Sequence, residues 1–110
     1  MNRLLILNQR QSALIQYQKA IQTAFTDVSN ALIAHQRVRE SRAQQELLVT
    51  ALADRKRLAY VRYRGGVDTL LNALDADRDL FQAQLALSQI RLSEVLTVVQ
   101  LYKALGGGWQ

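Results

Sequence analysis

From Asn2 to Leu105 the chain contains no proline, and glycine interrupts it at one place only, Gly65-Gly66. These two residue types are what stops helices. Proline lacks an amide proton and clashes with the preceding turn, and glycine costs about 1 kcal/mol relative to alanine in a helix interior. Leu, Ala, Gln and Arg, all good helix formers, fill the rest. The sequence therefore predicts an all-α fold, a long antiparallel two-helix coiled-coil hairpin. Its parts are a long helix over residues 1–64, a turn over 65–68, a second helix over 69–105 and a tail over 106–110. Continuous helix is expected over most of Asn8 to Tyr63 and of Thr69 to Leu105.

The turn region reads Arg62-Tyr63-Arg64-Gly65-Gly66-Val67-Asp68. A glycine suits the left-handed residue that closes a helix, and Asp68 has the side chain of an N-cap. Arg62 and Arg64 complement the negative end of the first helix, and Asp68 the positive start of the second. So short a connection makes the helices antiparallel neighbours. At ~1.5 Å per residue, a first helix of about 60 residues runs on the order of 90 Å and a second of just under 40 on the order of 55 Å. The N-terminal part of the first helix thus lacks a partner within the chain.

Apolar residues repeat in a 4-3 alternation, the spacing of coiled-coil packing. In the first segment the seam starts at Tyr17, Ile21, Ala24, Val28, Ala31 and His35, and ends at Val49, Leu52, Lys56, Ala59 and Tyr63. It weakens from His35 to Gln45, where Glu40 is placed to pair with nearby arginines. The second segment carries two seams. One is Val67, Leu71, Leu74, Arg78, Phe81, Leu85, Ser88, Leu92, Val95, Val99 and Tyr102. The other is Ala73, Ala76, Leu80, Ala83, Leu87, Ile90, Glu94, Thr97, Leu101 and Ala104. Two seams on different flanks predict partners on both sides, as in a bundle or a ring of helices. With 49% hydrophobic residues, the chain is expected to associate rather than stay a compact monomer.

The net charge of +5 raises the question of nucleic acid, but its distribution argues against it. On a helical wheel Lys19, Arg37, Arg55 and Arg62 fall on one side and Arg3, Arg10, Arg39, Arg57 and Arg64 nearly opposite, whereas a nucleic-acid-binding helix gathers its charge on one face. There is no cysteine, which removes disulfides and thiolate metal sites and leaves the compartment open. The apolar run Leu4–Leu7 is too short for a signal peptide core, and no stretch approaches the ~20 apolar residues of a membrane span. The segment itself is expected to carry neither export signal nor membrane anchor.

Chemistry-bearing clusters are sparse. Asp68, Asp75, Asp77 and Asp79 lie near the start of the second helix without a histidine or glutamate to complete a metal or acid–base site. His35, the single histidine, falls on the seam, where a buried or half-buried interfacial role is expected instead of metal ligation. Trp109, after three glycines, reads as an anchor for the tail or a frayed end. No nucleophile–base pair or phosphate-binding loop is present, so no enzyme, cofactor or metal is expected. A free-standing coiled-coil module that self-associates or pairs with another helical protein fits these features, as does a component of a larger helical assembly.

The order of motifs adds a resemblance. Tyr63-Arg64-Gly65-Gly66-Val67-Asp68, then Leu74-Asp75-Ala76, Leu80, Ala83 and Leu87, resembles the C-terminal hairpin of the TolC-like outer membrane factors. Leu101-Tyr102-Lys103-Ala104-Leu105-Gly106-Gly107-Gly108-Trp109 is similar to the end of that family's drug-efflux branch, and Ile21-Gln22-Thr23-Ala24-Phe25, Asp27-Val28 and Ala31-Leu32 to its preceding long helix. The resemblance implies one segment of a trimeric duct with a β-barrel in the outer membrane of a Gram-negative bacterium and an α-helical barrel across the periplasm. Such ducts serve drug-efflux pumps and type I secretion systems. It implies a periplasmic adaptor docking at the hairpin tip and an inner-membrane pump beyond it. The residues matching the family's entrance gate are Tyr63, Arg64, Leu71, Asp75 and Arg78. Asp75 would contribute an acidic constriction, and Tyr63, Arg64 and Arg78 the bonds holding neighbouring coils closed. Asn72 stands where some relatives have an acid, and Asp68 where some have a base. The chain holds no strand-forming segment of such a member and would be only a fraction of one.

Overall fold

The computed structural model describes residues 2–107. It consists of two helices, α1 (Asn2–Arg64) and α2 (Leu70–Gly107), and no strand occurs among the described residues. Helix α1 begins well before Asn8, and α2 runs past Leu105 into Gly106 and Gly107. Trp109 lies outside the described residues. The helices form two compact units, one of Gln36–Leu96 and one of Met1–His35 with Thr97–Gln110.

In the unit Gln36–Leu96, α1 turns the half-buried stripe Val38, Arg42, Gln45, Val49, Leu52, Lys56 and Ala59 toward α2. Helix α2 answers with Ala73, Ala76, Leu80, Ala83 and Leu87, all buried. Of the two seams read on the second segment, it is therefore the alanine-rich one that packs on α1. Small side chains let helix axes approach closely, and Ala83 leaves its carbonyl open to accept a 3.0 Å hydrogen bond from Gln45 Nε2. The other seam stays uncovered, with Phe81 65% and Leu92 61% exposed.

The polar stretch from His35 to Gln45 remains continuous helix. Arg42 is charge-compensated at its seam position. Its Nη1 donates to Glu46 Oε1 at 3.0 Å, and its Nε lies 2.6 Å from Glu94 Oε2, an ion pair by distance whose N–H direction misses hydrogen-bond geometry. The hydrogen bond to Glu46 first, and the charge of Glu94 next, raise the Arg42 pKa above its ordinary value. Glu40 forms no ion pair among the described residues; Glu46 takes the arginine instead, four residues beyond Arg42.

In the unit of the chain ends, Ala24, Val28, Ala31 and His35 continue the half-buried stripe of α1. His35 Nδ1 and Thr97 Oγ1 are 2.9 Å apart, so the seam histidine is a half-buried interfacial residue. Leu101 and Ala104 are half-buried, whereas every residue from Asn2 to Thr23 is exposed.

Candidate functional site

The candidate site is the turn end of the hairpin, where the gate-matching residues sit. Helix α1 finishes in a Schellman motif. Val67 N–H donates to the Arg62 carbonyl at 3.0 Å and Gly66 N–H to the Tyr63 carbonyl at 3.1 Å, which satisfies carbonyls the helix would leave open. Gly66 takes φ = 75°, the left-handed conformation that a Cβ disfavours. Gly65 has no such φ, and a Cβ built there would meet the Val61 carbonyl at 3.4 Å, an ordinary contact.

The start of α2 differs from the expected cap. Thr69 is the N-cap, its Oγ1 accepting from Asn72 N–H at 3.4 Å. Asp68 stands one residue earlier and braces the cap: its Oδ1 accepts from Thr69 N–H at 2.7 Å and from Asn72 Nδ2 at 2.6 Å. Backbone donation from Thr69, then the Asn72 amide, and the nearby charge of Arg62 hold the Asp68 carboxyl below its ordinary pKa. Asp68 is thus a fixed anion at the positive end of α2. Asn72 serves here as donor to that anion.

Asp75, Asp68 and Asn72 line one open cleft with Asp54, Arg55, Leu58 and Arg62 of α1. Arg64 lines a separate cleft with Lys56, Arg57, Tyr60 and Val61. The two clefts lie on different flanks of α1, since their lining residues fall on opposed sides of the wheel. Of the gate-matching residues, Asp75 and Arg78 are brought near each other, at 3.8 Å across one helical turn, and Leu71 is 67% exposed. Tyr63 contributes its carbonyl to the turn and leaves its ring partly exposed.

Asp77 and Asp79 point to α1, pairing with Lys56 at 3.0 Å and Arg55 at 2.9 Å. These exposed pairs are each worth under about 1 kcal/mol, but together they fix which residues face each other beside the turn. Among the described residues no group of three or more His, Asp or Glu could hold a metal ion, and no helix is long and apolar enough to cross a membrane. Asp54, Arg55 and Arg62 were not singled out from sequence as site residues, although the wheel already placed Arg55 and Arg62 together and Arg64 opposite.

Residues 6–107 match the family described as outer membrane efflux protein. The probable efflux pump outer membrane protein TtgC of Pseudomonas putida is 53% identical over 93 residues, which is 84% of this chain and 19% of that protein. The pyoverdine export outer membrane protein OpmQ of the same species is 46% identical over 94 residues, 86% of this chain and 20% of the relative. The toluene efflux pump outer membrane protein TtgF of Pseudomonas putida is 45% identical over 94 residues, with the same coverage of each. The chain thus spans about a fifth of the length of the curated relatives it matches. A two-helix hairpin turning on Gly65-Gly66, matched across nearly its whole length and sharing about half its residues with such proteins, belongs to the outer membrane efflux protein family.

Proposed function

We propose that the hairpin is a segment of the periplasmic helical duct of an outer membrane efflux channel, with the Gly65-Gly66 turn at the duct's entrance tip. The observation that carries this reading is the exposed seam of α2. Leu71, Leu74, Phe81, Leu85, Leu92 and Val95 are each roughly half exposed or more, while the alanine-rich seam alone serves α1. A helix with one flank filled and a second apolar flank open fits a closed ring of helices, where each hairpin has a further neighbour. The whole protein in this reading is a homotrimer of the Gram-negative outer membrane, working with a periplasmic adaptor at the tip and an inner-membrane pump. Relatives of similar identity are named for toluene efflux and for pyoverdine export, so this segment does not by itself select the cargo.

Within the tip, Asp75 has the role of an acidic constriction, and Tyr63, Arg64 and Arg78 tie neighbouring hairpins. Support comes from Asp75 and Arg64 lining different clefts, so that in this reading one can serve a lumen and the other a neighbour. Acids converging on one axis favour cations and repel one another. In the full-length protein, Asp75→Ala is expected to lower cation selectivity, and Tyr63→Phe with Arg64→Ala to raise resting conductance. Single-channel recordings in planar bilayers check both. Unchanged selectivity and unchanged conductance would return these residues to ordinary helix-end chemistry.

A further inference from the structure

We propose that charges on the inner stripe of α1 decide which seam of α2 it accepts: Arg42 and Lys56 admit the alanine-rich seam and reject the leucine-rich one. Arg42 stands on the stripe that packs on α2, with its side chain 30% exposed. It is held by two acids. Glu94, 20% exposed, belongs to the alanine-rich seam and lies 2.6 Å from Nε. Glu46, one turn along α1, lies 3.0 Å from Nη1. Arg91 completes the cluster from α2, its Nη2 3.6 Å from Glu46 Oε1. Two bases and two acids thus alternate across the helix pair and cancel. Further along α1, Lys56 Nζ pairs with Asp77 Oδ1 at 3.0 Å.

Such charges are a poor source of stability. A half-buried ion pair gives back most of its attraction in lost hydration, and apolar side chains of similar volume would hold the helices about as well. Their effect is on choice. Small side chains let the alanine-rich seam approach closely, but they do not exclude the other, since leucines at heptad spacing pack well against a helix. Between Leu71 and Val95 the leucine-rich seam carries no acid, and its one charge is Arg78. Counting along the antiparallel pair from Lys56 and Asp77, that seam offers Leu92 at the level of Arg42, with Ser88 and Val95 a turn to either side. Docked there, the guanidinium would leave Glu94 on another flank and enter an apolar contact with Glu46 alone. Lys56 would meet Arg78, a like charge, in place of Asp77. Separating the partners of a desolvated pair costs far more than the pair contributes. Both positions therefore penalise the wrong seam and neither penalises the right one, which is selection by repulsion. Lys56, in the more exposed pair, supplies the smaller share. Both partners of each pair lie in this chain, so the selection holds whether or not the hairpin lines a duct. It leaves the leucine-rich seam to a neighbour whose facing stripe is apolar or sets an acid opposite Arg78.

The chain has no cysteine, so introduced pairs report the seam directly. The same count sets Val49 level with Gln84, and Ala83 and Leu85 present the two seams at that height. In a glutathione redox buffer, the 110-residue chain with Val49→Cys and Ala83→Cys should close a disulfide readily. With Val49→Cys and Leu85→Cys it should do so several-fold less, counting bonds within a chain and between chains. Making the contact apolar by Arg42→Leu, Lys56→Leu and Glu94→Leu should raise the second cross-link several-fold while circular dichroism shows the helices intact. Exchanging neighbours, Glu94→Val with Val95→Glu, moves the acid ~100° round α2 and should shift cross-linking from Ala83 to Leu85. Equal cross-linking of the two pairs in the unaltered stripe would overturn the proposal. So would a preference for Ala83 that survives the apolar variant, which would leave side-chain size as the whole cause. Should the exchange variant lose helicity, the apolar variant decides, because it buries no new charge.

Discussion

Asp68 shows how much a single side chain does at a helix junction. Its carboxylate accepts one backbone and one side-chain hydrogen bond within the same turn, and its pKa is lowered for that reason first. A carboxyl whose folded pKa is depressed contributes stability that is present above its unfolded pKa and is lost as pH falls through the folded value. The loss therefore belongs below the ordinary aspartate value of about 3.9, and neutral pH leaves the junction intact. Carboxyl NMR titration should find the Asp68 midpoint below the ordinary aspartate value of about 3.9, and Asn72→Ala should move it back up. An Asp68 midpoint at the ordinary aspartate value would count against the geometry. The sequence could not assign this role uniquely, because Asp68 and Thr69 are both cap-forming types and only the start of α2 at Leu70 decides between them.

For the elements, the turn makes the sharpest demand. Gly66 and Gly65 are adjacent and chemically identical, yet only Gly66 has positive φ. Gly66→Ala is expected to destabilise the hairpin by about 1–2 kcal/mol, the cost of a Cβ in the left-handed region, whereas Gly65→Ala should be neutral or slightly stabilising. Equal effects of the two in urea unfolding would contradict the assigned turn. The two helices and both seams of α2 were legible in the sequence, since the lack of breakers and the 4-3 spacing are local features. Which seam would face α1 was not, because it depends on close approach: the seam with fewer large residues wins where two backbones must come together. At the site, the residue types could be read, but the partition of Asp75 and Arg64 between two flanks needed the turn's rotation as well as the spacing. The Lys56–Asp77 and Arg55–Asp79 pairs lay out of reach for a similar reason, being separated along the chain by the hairpin itself.

At the scale of the whole molecule, the uncovered seam of α2 and the covered one should respond differently to mutation. Leu80 is 7% exposed and Leu85 52%. Leu80→Ala should cost about 2 kcal/mol, the low end of core truncations, and lower the thermal midpoint at every concentration. Leu85→Asp should instead reduce the mass of assemblies seen by sedimentation while the helical signal persists; equal behaviour of the two variants would mean that α2 has a single working face. The Gly66 turn also bears on time. Contacts beside it join residues 24 apart, as in Arg55–Asp79, whereas His35 and Thr97 are 62 apart. Closing the longer loop first would carry the greater entropy cost, so pairing that starts at the turn and runs outward is the quicker route. Gly66→Ala should then slow folding and leave unfolding nearly unchanged, while Leu101→Ala, at the far end, should chiefly speed unfolding. The reverse pattern in stopped-flow kinetics would place the nucleus elsewhere; as built, the chain closes like a zip whose slider starts at one left-handed glycine.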